Sequence, residues 1–67
     1  MNTPTRRRWY LFATGGRFAP CTLGAFEHHF EALDAADTWW NLGTQCGVRQ
    51  IVEALIGNTW EPQPYTL

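Results

Sequence analysis

The sequence has four cysteine and histidine side chains, the usual ligands of a structural zinc site: Cys21, His28, His29 and Cys46. A structural zinc site usually takes its cysteines in closely spaced pairs. Here the two lie far apart, and neighbouring histidines on a strand point to opposite faces. No metal site is expected, and the thiols are read as reduced core fillers of a cytoplasmic protein, because a small secreted scaffold usually carries two or more bridges. A Cys-His nucleophile needs the thiol beside the imidazole, and nothing near either cysteine resembles a nucleophile signature. Glu27 with Glu31 or Glu53 could meet across a sheet and share acid and base work. The sequence implies no cleft, so they are read as a solvated face. Gly15, Gly16 and Arg17 lack the spacing of a phosphate loop. No enzymatic activity and no cofactor are expected.

The charges carry more information. All five basic residues are arginine, against six acids, for a net charge of −1. Arg6, Arg7 and Arg8 form one run, while Glu27, Glu31, Asp34 and Asp37 crowd the middle of the chain. Such segregation suggests a charged macromolecular partner. Two readings stay open. Arg6, Arg7 and Arg8 with Trp9 and Tyr10 combine the phosphate contacts and stacking surfaces of a single-strand binder. The rest of the chain, however, sets only Arg17 and Arg49 against all six acids, unlike a protein that tracks a nucleic-acid groove. The acidic cluster of Glu27, Glu31, Asp34 and Asp37 suits docking on a basic surface built for DNA or RNA. Trp39 or Trp60 is the candidate exposed anchor, with Trp39 beside the cluster, since adjacent tryptophans on a helix cannot both be buried equally and Trp40 aligns better with Ala36 and Gly43.

These residues need elements to hold them. Residues 8–14 are rich in aromatic and branched side chains and end at Gly15 and Gly16, a hairpin signal. The return strand is expected over residues 18–31, with Pro20 confining its start to an edge or bulge, Gly24 as a kink, and Phe26, His28 and Phe30 alternating with Glu27, His29 and Glu31. Asp34 then reads as a helix N-cap with Asp37 completing a capping box. The helix would lie on the sheet with Gly43 allowing close approach, and end between residues 44 and 47. Residues 48–56 fit helical periodicity, but their branched residues and the need for a third strand favour a strand. Gly57 and Asn58 would turn the chain into a short strand over 59–61. The expected fold is α+β: an antiparallel sheet of three or four strands with one helix on one face, in ββαβ order.

Sixty-seven residues with 45% hydrophobic content and ten aromatics suit one compact domain of modest stability. Within it, residues 1–7 are expected to form a basic N-terminal arm and residues 62–67 an extended tail. The apolar run at residues 9–13 is far shorter than a signal segment or a bilayer span, so no membrane partner is expected.

In its small size, arginine-only basic residues, hairpin-helix-strand outline and acidic body, the chain resembles small accessory proteins of bacteriophages, including the anti-CRISPR proteins that bind type I interference complexes. The resemblance is one of class and carries no functional residue over. It implies a stoichiometric inhibitor in the bacterial cytoplasm, whose partner is a protein or protein–nucleic-acid complex such as a CRISPR effector, and which blocks recognition of target DNA.

Overall fold

The structure, a computed structural model of the chain, describes residues 3–17 and 19–63. Alternation dominates its first element. Along β1 (Thr5–Gly15), Leu11 and Ala13 are buried, while Arg6, Arg8, Tyr10 and Phe12 occupy the alternate positions. A strand sends successive side chains to opposite faces, so each set lines one face. The fold continues through β2 (Cys21–Phe26), α1 (His29–Asn41), β3 (Gln45–Ile56) and β4 (Thr59–Pro62). The strands form one antiparallel sheet in the order β2-β1-β3-β4. One helix packed on a four-stranded antiparallel sheet is the α+β architecture expected, with a ββαββ order.

The return strand is shorter than the alternation suggested. Leu11 pairs with Gly24 and Phe12 with Thr22, which leaves Leu23 as a bulge beside the glycine. Pairing ends at Phe26, and residues 29–31 are helical. Three alternating residues are weak evidence for a strand when good helix formers follow, as they do in Glu31, Ala32, Leu33 and Ala35. The N-cap is therefore His28, not Asp34. Glu31 accepts a hydrogen bond from the His28 backbone N–H at 3.1 Å, half of the reciprocal arrangement of a capping box. Asp34 and Asp37 lie inside the helix and cap nothing.

The helix ends at Asn41 in a Schellman motif. The Gly43 N–H bonds to the Trp40 carbonyl at 3.0 Å, and the Thr44 N–H bonds to that of Trp39 at 2.9 Å. Gly43 has φ +89°, and a Cβ there would meet nothing within 4 Å. Its role is the left-handed turn, not the close helix–sheet approach expected of it.

Residues 48–56 are strand, as their branched side chains indicated, and β3 extends back to Gln45. The register sets Arg6 opposite Glu53, Trp9 opposite Gln50 and Leu11 opposite Val48. Since β1 already begins at Thr5, the arginines are strand residues and not an arm. Pro62 closes β4 and does not open a tail, and the Gln63 N–H bonds to the Val52 carbonyl at 2.8 Å. Residues 64–67 of the expected tail lie outside the described residues. β4 pairs only with residues 53–56, leaving the earlier part of β3 as an open edge.

Helix α1 packs on β1, β2 and β3. Its 13 residues span about 20 Å, against about 36 Å for β1, so it covers part of one face. Leu11, Ala13, Ala32, Ala36 and Thr44 make the buried centre. Small alanines let the helix sit close. Most of the larger apolar side chains remain half-buried or exposed.

Candidate functional site

The sheet divides the five residues of the basic aromatic stretch. Arg6, Arg8 and Tyr10 share the face away from the helix and converge on Glu53, which is only 2% exposed. Arg6 Nε donates to Glu53 Oε1 at 2.6 Å, Tyr10 Oη donates to Oε2 at 2.5 Å, and Arg8 Nη1 lies 3.6 Å from Oε1. The Arg6 guanidinium also stacks over Trp60 at 4.4 Å from the ring centre. Arg8 donates a further bond to the Ala25 carbonyl at 3.0 Å. Burial by itself would raise the Glu53 pKa, but the Tyr10 and Arg6 hydrogen bonds and the charges of Arg8 and Arg6 outweigh it and hold the carboxyl below its ordinary value. Tyr10 is pushed up, first by burial and then by the bond to Glu53 and its charge. The cluster is an ion network that sets two guanidinium groups on one carboxylate, and among the described residues the buried Arg8 Nε has no hydrogen-bond partner.

Arg7 and Trp9 lie on the opposite face. With Val48, Arg49 and Gln50 they border an open hollow of about 580 Å³. Trp9 stacks on His29, with centroids 4.2 Å apart. The five residues therefore form no single nucleic-acid surface.

The acidic residues also separate. Glu27 is exposed in the connection before α1, and Glu31 is committed to the helix start. Asp34 and Asp37 are exposed on the helix. Positions 30, 33, 37 and 40 are three or four apart and form one stripe, and Phe30, Leu33 and Trp40 are 64%, 49% and 53% exposed. Trp39, expected as the exposed anchor, is half-buried, and Trp40 is the exposed indole. The reason is the true helix start. Once residues 29–33 are helical, Ala32 and Ala36 define the buried side and Trp39 falls beside them, about 100° from Trp40. The sequence reading put Trp40 on the core-facing stripe and Phe30 on a strand face and passed over Leu33, whereas all three are exposed on the helix; their spacing shows once the helix begins at His29.

Cys21 and Cys46 both pair with Ala13, from opposite sides. Two strand spacings separate them by about 10 Å, too far for a disulfide within the chain. Neither is a core filler: Cys21 is exposed and Cys46 half-buried. Burial raises the Cys46 thiol pKa, and Cys21 adds to the effect. His28 stacks on Phe30 at 5.5 Å. Among the described residues no three His, Cys, Asp or Glu side chains converge as metal ligands, and no helix is long and apolar enough to cross a membrane.

No protein-family model matches the chain, and neither a curated protein nor a solved structure matches it.

Proposed function

We propose that this chain is a non-enzymatic binding protein that seats the outer face of α1 on a positively charged protein surface. The proposed setting is the bacterial cytoplasm, where it acts as a phage-type inhibitor that binds a type I CRISPR interference complex and blocks recognition of target DNA. The observation that carries the reading is the stripe of Phe30, Leu33 and Trp40, exposed beside Asp34 and Asp37. A small domain gains nothing in stability from apolar side chains left in water, and contiguous exposed apolar surface marks interaction sites. Tryptophan is a favoured binding anchor. The neighbouring carboxylates supply the field that draws the helix to a cationic groove, where they stand in for phosphates.

The test is competition. With a purified type I interference complex, the chain should displace target duplex. Trp40→Ala should weaken binding by about 2 kcal/mol, chiefly through faster dissociation. Asp34→Lys combined with Asp37→Lys should slow association and reduce its salt dependence. Displacement that persists in all these folded variants would overturn the helix as the contact surface, and no binding by the wild-type chain would overturn the choice of partner.

A further inference from the structure

The hollow beside the helix start holds a combination that the helix reading does not use. Arg7 and Arg49 are exposed and form no ion pair among the described residues, in contrast to Arg6 and Arg8 on Glu53. The half-buried Trp9 indole and the exposed Gln50 amide, set opposite one another by the β1–β3 register, share the face of Arg7, whereas Arg49 pairs with Tyr10 on the other face and borders the hollow at the open edge of β3. Val48 supplies apolar lining, and no carboxylate borders the hollow. Glu27, the acid nearest in sequence to the β2 partner of Trp9, is not among the lining residues.

We propose that this hollow holds a nucleotide of a single-stranded nucleic acid. His29 takes one face of Trp9, and the rest of the indole offers a stacking surface for a base. Gln50 carries both donors and an acceptor for a base edge. Arg7 offers a phosphate partner on the face of Trp9, and Arg49, on the other face at the open β3 edge, offers one to a strand that passes over that edge. Arg49 stands where β3 has no β4 neighbour, so a strand can pass over that edge. A base must leave its stack to enter, which selects single strands over duplex. This site contains Arg7 and Trp9 of the basic stretch but replaces Arg6, Arg8 and Tyr10 with two residues some forty positions away.

Fluorescence anisotropy with a labelled mixed-sequence 12-nucleotide DNA or RNA tests the site, using the full chain over a series of salt concentrations. Binding should weaken as salt rises. Arg7→Glu combined with Arg49→Glu should weaken it about tenfold or more and flatten the salt dependence. Gln50→Ala should weaken it less, and Arg17→Glu, an equal charge change in the turn after β1, should leave it intact. Trp9→Ala risks the fold, so quenching of tryptophan fluorescence by unlabelled oligonucleotide replaces it. No binding at low salt, equal loss with Arg17→Glu, or equal affinity for duplex DNA would overturn the proposal. Equal affinity for a free mononucleotide would overturn the strand as occupant. None of these substitutions touches the outer face of α1, so this site can fail while the helix reading stands, and the reverse.

Discussion

Glu53 sets what individual residues can do on the face away from the helix. A carboxylate with 2% exposure is tolerated only because Arg6, Arg8 and Tyr10 close around it, and removing one member of such a group leaves the rest uncompensated. Glu53→Ala should cost about 3 kcal/mol at neutral pH. Because the folded pKa of Glu53 is lowered, the unfolded chain binds the proton more readily. The contribution is therefore complete above the unfolded carboxylate value, about 4.3, and is lost as pH falls through the lower folded value. Tyr10 is raised, so its contribution is present below about 10 and fades as pH rises through the folded value. Urea midpoints from pH 7 to pH 3 should fall less steeply for Glu53→Gln than for the wild-type chain. An unchanged slope would mean that other groups govern acid stability.

At the scale of elements, two glycines make a comparison. Gly43 and Gly16 have φ +89° and +96°, conformations costly for any residue with a Cβ. Gly43→Ala should lose about 1 kcal/mol, since nothing lies near the added methyl. Gly16→Ala should lose more, because its Cβ would stand 2.9 Å from the Gly43 carbonyl oxygen. Equal losses in thermal or urea unfolding would contradict the packing of the turn against the helix end. The strands were legible because glycine turns and branched residues mark them locally. The helix start was not, because His28 is an unusual N-cap and Asp34 offered the more familiar signal. From that one displacement followed the exchange of Trp39 for Trp40 and the misassigned roles of Glu31, Asp34 and Asp37. Glu53 as a hub, and Arg49 and Gln50 beside Trp9, could not be read from spacing, since the Arg6–Glu53 bond alone spans 47 positions and depends on register.

Over the whole molecule, charge is sorted by the sheet more than by position along the chain. Arg6 and Arg8 share the single carboxylate of Glu53 on one face, while Asp34 and Asp37 stand on the outer surface of the helix that covers the other. The molecule is elongated, 45 × 25 × 21 Å, and its helix carries exposed aromatic and aliphatic side chains instead of burying them. The length follows from the long β1 and β3 strands, and the proposed binding role of the helix accounts for the exposed side chains. The most direct measurement is quantitative affinity capture from nuclease-treated bacterial lysate, comparing the wild-type chain with a variant carrying Asp34→Lys, Asp37→Lys and Trp40→Ala, both verified as folded. The expected result is a protein partner retained by the wild-type chain after nuclease treatment and lost by the variant. Equal capture by both chains, or no partner once nucleic acid is removed, would contradict the helix as the functional surface.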